Sequence, residues 1–280
     1  MAPFFDSPLE IIEEIINSLQ DNPTALKACS QTCSSLLPVC RKYIFRSIRI
    51  TTRCYPQRSL RLPRVITLFG ILLSNNPGIS DLVQNLVFHV CLRDVDDDDV
   101  PRVLGRLHHL QSFELKFEDL MAGKWSTLRQ PFRDALLRLI HLPSVSRLNI
   151  SNIYDFPVTA FFPCINLADL ALARIAKPTT TVAGYENGSS AQETSPQLQS
   201  FAFHMNSNSY AMQLLNARRP NGVPMLDFSE VRILSVEAYA EEHLMAIQAF
   251  IGATKKLETL VYGSTYGVSY YVYIIPYSRF

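Results

Sequence analysis

One short pattern recurs along most of the chain, apolar-x-x-apolar-x-apolar, at Val83/Leu86/Phe88, Leu110/Phe113/Leu115, Val145/Leu148/Ile150, Leu167/Leu170/Leu172, Leu198/Phe201/Phe203, Val231/Leu234/Val236 and Leu257/Leu260/Tyr262. The period of two closing each unit predicts a strand buried on one face, with positions one, four and six turned inward and positions five and seven outward. Helical periodicity fills the intervals. Residues 65–73 form an apolar run stopped by Asn75-Asn76-Pro77-Gly78, and 131–142 place Phe132, Ala135, Leu136, Leu139 and Ile140 on one side. Residues 209–218 are stopped by Pro220-Asn221-Gly222, and 241–251 group Leu244, Ile247, Phe250 and Ile251. Asp98 or Asp99 is expected to cap a short helix with Pro101 in its first turn. Strands alternating with helices predict an α/β solenoid, in which each unit buries its apolar face against the next.

The units start at irregular intervals that overlap the ~20 to 29-residue period of leucine-rich repeats, so the longer intervals hold insertions. The most conspicuous is 177–197, rich in Thr, Ser and Gly, which reads as a polar loop between two repeats.

Residues 1–50 follow another pattern. Ser7-Pro8-Leu9-Glu10 fits a capping box with proline at the first helical position. Leu9, Ile12, Ile16 and Leu19 recur at helical spacing and Ile11 and Ile15 widen the stripe, so this helix needs a second layer or a partner to cover it. Asn22 and Pro23 offer the cap and first position of a second helix, over 24–33. Ser34 or Ser35 with Pro38 marks a third, and residues 47–51 turn to a period of two, predicting a strand. The expected organisation is a three-helix module at 1–50 followed by an irregular repeat body at 51–280.

The residues of the module resemble an F-box, in the form seen in large fungal families of F-box-like proteins. They are Pro8-x-Glu10-Ile11-Ile12, Ile15, Leu19, Leu26, Cys29-x3-Cys33, Leu36-Leu37, Cys40-Arg41 and Ile44-Phe45-Arg46. The resemblance covers roughly residues 4–50 closely, and the family's leucine-rich body covers the rest more loosely. It implies a non-catalytic substrate receptor of a Skp-cullin-F-box ubiquitin ligase. Pro8, Leu9, Glu10, Ile11, Ile12, Ile15, Leu19, Leu26, Cys29, Cys33, Leu36 and Phe45 would then meet a Skp-type adaptor, and through it a cullin-RING ligase, while the body holds a protein substrate. Ser7 stands where the motif ordinarily has leucine, and Leu36 or Leu37 stands in place of the family's third-helix tryptophan.

On the body, the outward positions would read the substrate. They are Val87 and His89, Glu114 and Lys116, Asn149 and Ser151, Ala171 and Ala173, Ala202 and His204, Ser235 and Glu237, Val261 and Gly263. The candidate contacts are His89, Glu114, Lys116, Asn149, Ser151, His204, Ser235 and Glu237. The set is mixed and low in net charge, which suits a protein better than a polyanion. The alternative is a leucine-rich-repeat scaffold without a ligase role, whose helical module only seals the solenoid end; exposure of the first helix separates the two readings.

Composition narrows the classes further. A formal net charge of +1 over 280 residues gives no electrostatic case for nucleic acid, and Arg53, Arg58, Arg61 and Arg64 read as a solvated linker. No secretory signal is expected, because Glu10, Glu13 and Glu14 interrupt the early apolar stretch. The run at 65–73 is about half a membrane span, so no membrane partner is expected and the compartment reads as cytoplasmic or nuclear. Six irregularly spaced cysteines then read as reduced thiols.

Neither enzyme activity nor a cofactor is expected, since no glycine-rich phosphate loop, Gly-x-Ser-x-Gly elbow or His-Glu-x-x-His occurs. The acidic run Asp94, Asp96, Asp97, Asp98, Asp99 lacks the glycine and glutamate of a calcium loop. Cys29, Cys33, Cys40 and Cys54 lack the second tight pair of a zinc site, and His108-His109 has no companion ligand at motif spacing. Residues 268–277, aromatic, β-branched and uncharged, read as a strand and not as a polar cap. The body is therefore expected to end short of the family's usual length, with this tail folded back as a last strand or poorly ordered.

Overall fold

The alternating pattern becomes eight parallel strands: β1 (Ser47–Thr51), β2 (Asn85–Val90), β3 (Ser112–Phe117), β4 (Arg147–Tyr154), β5 (Asp169–Ala176), β6 (Ser200–His204), β7 (Ile233–Glu237) and β8 (Thr259–Ser264). They pair in strict chain order, and β9 (Ser269–Tyr273) adds antiparallel to β8. The computed structural model describes residues 9–51, 64–118, 123–176, 194–237, 241–264 and 269–273. Ser7, Pro8, Cys54 and most of the expected polar loop lie outside these residues.

Register follows the repeat. Leu86, Phe113, Leu148, Leu170, Phe201, Leu234 and Leu260 stand side by side across the sheet, as do Phe88, Leu115, Ile150, Leu172, Phe203, Val236 and Tyr262. Every first, fourth and sixth position of the pattern is buried except Tyr262, which is half-buried against the same core. A backbone ladder marks the second position of each unit. The carbonyl of Gln84 accepts the N–H groups of Gln111 (2.7 Å) and Ser112 (3.0 Å), that of Gln111 accepts those of Ser146 (3.0 Å) and Arg147 (3.1 Å), and Ser146, Ala168, Gln199 and Arg232 repeat the arrangement toward β8. Each strand entrance thus satisfies two donors of the next unit, which fixes the stacking without any side chain.

Helices occupy most of the intervals: α4 (Val65–Asn75), α5 (Ile79–Leu82), α6 (Leu92–Val95), α7 (Asp99–Leu104), α8 (Gln130–Ile140), α9 (Asn208–Asn216) and α10 (Glu241–Ala253). α8 buries the five residues its periodicity selects, and α9 turns Tyr210, Ala211 and Leu214 into the core. Beneath β6, the rings of Phe201, Phe203 and Phe228 each pack within 5.0–5.2 Å of Phe250 from α10. Asp98 takes the N-cap position of α7 but makes no side-chain cap bond, and Asp97 Oδ1 instead accepts the Asp99 N–H at 3.0 Å. At the far end of the expected polar loop, Pro196 is buried and Gln197 bridges to Asp227.

The first three helices, α1 (Leu9–Ser18), α2 (Pro23–Thr32) and α3 (Leu36–Ile44), form a core of their own from Ile12, Ile16, Leu26, Leu36, Val39 and Cys40. Asn22 caps α2, its Oδ1 accepting the Ala25 N–H at 3.0 Å. Phe45 and Ile48 leave that small core and pack on the large one. Arg46 completes the join, donating Nε to Gln84 Oε1 at 2.8 Å while its carbonyl receives Gln84 and Asn85. Among the described residues, no helix is long and apolar enough to cross a membrane.

Candidate functional site

Two surfaces carry the residues singled out in the sequence. On α1, a rotation of ~100° per residue sets neighbouring isoleucines a little over a quarter turn apart. Ile12 and Ile16 are buried in the module core, whereas Ile11 and Ile15 are 48% and 43% exposed. Glu10 is exposed, Leu9 opens the helix, and Leu19, Cys29 and Cys33 are half-buried on the same small core. Leu26 and Leu36 are buried within it, and Phe45 packs on the body instead. This divides the expected adaptor contacts. Ile12, Leu26, Leu36 and Phe45 hold the module together or fasten it to the body, and among the described side chains of α1 the open apolar surface is that of Ile11 and Ile15.

The thiols of the module differ in environment. Cys33 Sγ lies 2.9 Å from Ser35 Oγ and accepts the Ser35 N–H at 3.4 Å, and these bonds, the side-chain one foremost, hold its pKa below the ordinary thiol value. Burial pushes Cys40 the other way.

The second surface is the outward face of the sheet. Val87, Glu114, Asn149, Ala171, Ala202, Ser235 and Val261 form one row across the strands, and His89, Lys116, Ser151, Ala173 and His204 form another. All are half-buried. At the β2–β3 side, His89 Nδ1 lies 2.6 Å from Glu118 Oε1 and its Nε2 lies 3.6 Å from Glu114, while Lys116 reaches Glu118 at 3.8 Å. At the β6–β7 side, His204 lies 3.5 Å from Ser235 Oγ and 3.9 Å from Glu237. Burial lowers the His204 pKa, with Glu237 opposing the shift, and Glu237 Oε2 accepts the Met205 N–H at 3.1 Å. Between these polar clusters lies a floor of Ala171, Ala173 and Ala202.

Two features of this face were not foreseen. Position three of each unit also points outward and adds Asn85, Ser112, Arg147, Asp169, Ser200, Ile233 and Thr259 as a third row; the alternation that selected positions five and seven selects these equally. Asn152, Arg174 and Met205, one residue beyond the second row in three successive strands, all have left-handed backbone, with φ of 58°, 53° and 53°. Asn152 is held there by its Nδ2 donating to the Phe117 carbonyl at 2.8 Å. Asparagine tolerates this region, but Arg174 and Met205 carry no sequence signal for it.

The acidic run is engaged in the fold. Buried Asp94 accepts the Cys91 N–H at 2.9 Å, Asp97 pairs with Arg64 at 2.5 Å, Asp98 with Arg129 at 2.9 Å, and Asp99 with Arg102 at 3.1 Å. His108 Nδ1 lies 2.9 Å from an Arg138 nitrogen, and His109 is exposed. Among the described residues, no group of three or more His, Cys, Asp or Glu side chains converges as a metal site. In comparison with known proteins, the chain matches no family model and no curated protein.

Proposed function

We propose that the chain is a non-catalytic substrate receptor. Its three-helix module would dock on a Skp-type adaptor of a cullin-RING ubiquitin ligase, and its irregular leucine-rich-repeat-like body would hold a protein substrate on the outward sheet face. The observation that carries this reading is the open apolar pair Ile11 and Ile15, on a helix whose other face already has a core. A module that only sealed the solenoid would have no use for two exposed isoleucines, and F-box-like residues flank them. The half-buried, mixed-polarity face of the sheet supports a protein as the second partner, because it offers hydrogen-bonding groups of both kinds and no concentrated charge.

The scaffold reading retains one specific support. β1 pairs with β2, and Phe45, Ile48 and Arg46 tie the module to the body, as an end cap requires. Affinity capture from cell extract separates the two. The receptor reading expects a Skp-type adaptor and a cullin to be recovered with the intact chain and lost with Ile11→Asp/Ile15→Asp; recovery of neither by the intact chain would overturn it in favour of the scaffold.

A further inference from the structure

At the β6–β7 side of the outward face, three polar side chains converge in a definite order. Ser235 Oγ lies 3.5 Å from His204 Nε2, and His204 Nδ1 lies 3.9 Å from Glu237 Oε1. The other carboxylate oxygen of Glu237 accepts the Met205 N–H at 3.1 Å, which fixes the carboxylate beside the ring. Register explains the convergence. Ser235 and Glu237 are alternate residues of β7 and share a face, while the pairing of Val236 with Phe203 sets His204 beside Glu237 and diagonal to Ser235.

The two ring nitrogens have different surroundings. Nδ1 is buried without a hydrogen-bond partner, and the charge acting on the ring is that of Glu237 from β7; β5 brings Ala173 beside His204 and Arg174 one residue beyond. A proton on Nδ1, facing the carboxylate, is the favoured tautomer and leaves the Nε2 lone pair toward the Ser235 hydroxyl. Burial lowers the His204 pKa, so the ring is neutral and able to accept a proton at pH 7. The hydroxyl itself is reachable: Ser235 is half-buried, and its neighbours in the row, Ala202 and Val261, are small. The separations are long for hydrogen bonds, as such contacts commonly are before a substrate closes them.

We propose that Ser235 is an activated nucleophile that takes an acyl group from activated esters, a covalent modification site on the sheet face. The bond from Ser235 Oγ to the carbonyl carbon forms, the hydroxyl proton passes to His204 Nε2, and the bond from that carbon to the leaving oxygen breaks. The leaving group departs with the proton that His204 returns. Glu237 orients the ring and stabilises its transient positive charge. The site lies within the proposed substrate face but does not depend on a ligase role, since neither adaptor nor protein substrate takes part.

The test treats the full chain with 4-nitrophenyl acetate, quenches in acid and maps acetylated peptides by mass spectrometry. One acetyl group is expected on Ser235 and none on Ser151, a serine of the same face whose register neighbours are Lys116 and Ala173. His204→Gln should slow acetylation of Ser235 by roughly 100-fold, the low end of general-base assistance. Glu237→Gln keeps an acceptor for the Met205 N–H and should move the pH midpoint of acetylation downward, because Glu237 holds the His204 pKa up against burial. An unmodified Ser235 in the wild type, equal modification of Ser151, an unchanged rate in folded His204→Gln, or an unmoved midpoint in Glu237→Gln would each overturn the proposal. Should the His204 variant fail to fold, the ratio of Ser235 to Ser151 acetylation in the wild type decides alone.

Discussion

Ile11 and Ile12 are consecutive in α1, yet Ile11 is 48% exposed while Ile12, at 7%, shares a core with Leu26 and Leu36. The pair separates docking from folding. Ile11→Asp with Ile15→Asp alters open positions, so melting temperature should change little, within the roughly ±0.5 kcal/mol typical of surface substitutions. In a desolvated adaptor interface each unpaired carboxylate should cost about 2 to 5 kcal/mol, enough to end capture. Ile12→Asp should instead unfold the module, because its carboxylate has no partner in that core. Circular dichroism beside adaptor capture checks both, and capture retained by the Ile11/Ile15 variant would remove the docking role.

The contrast also marks what was legible in the sequence. Seven recurrences of one pattern identified seven strands, their buried positions and their outward faces, because a strand buried on one face imposes a period of two that little else produces. The module's helices were legible from Asn22-Pro23 and the isoleucine spacing. Which side of α1 stays open was not, since Leu9, Ile11, Ile12, Ile15, Ile16 and Leu19 cover more than half its circumference and only the packing of α2 and α3 chooses among them.

Acid should weaken the fold through two histidines. Burial lowers the pKa of His141 and of His204, opposed by the Ala160 carbonyl in the first and by Glu237 in the second. The folded state thus favours the neutral rings. Their contribution is fully present above the unfolded pKa of ~6.5 and is lost as pH falls through that value toward the lower folded one. Between pH 7.5 and 5.5 the wild-type melting temperature should fall further than that of His141→Gln/His204→Gln. Parallel profiles for the two proteins would show that neither ring is linked to stability.

Asp169 has the opposite sign. Burial raises its pKa, and Arg147, its register partner across β4 and β5, only partly restores it. Stability from this group is present below the unfolded carboxyl pKa of ~3.9 and is lost as pH rises through the higher folded value, so at neutral pH the charged form is a net cost. Asp169→Asn should melt higher than wild type at pH 7, with the gain shrinking toward pH 4. A lower melting temperature at pH 7 would mean that the attraction to Arg147 outweighs the burial.

The last strand offers the sharpest test of how the sheet ends. β9 runs antiparallel along β8, pairing Tyr273 with Leu260 through to Ser269 with Ser264, whereas every earlier neighbour is parallel. Without it, the N–H and C=O groups of β8 that face β9 would form an open edge over a partly covered core containing Leu257 and Leu260, a template for pairing with other chains. Removing residues 269–280 should therefore lower the melting temperature and raise light scattering on heating. Stability unchanged together with reduced scattering would mean that β8 closes the sheet unaided and that β9 is dispensable.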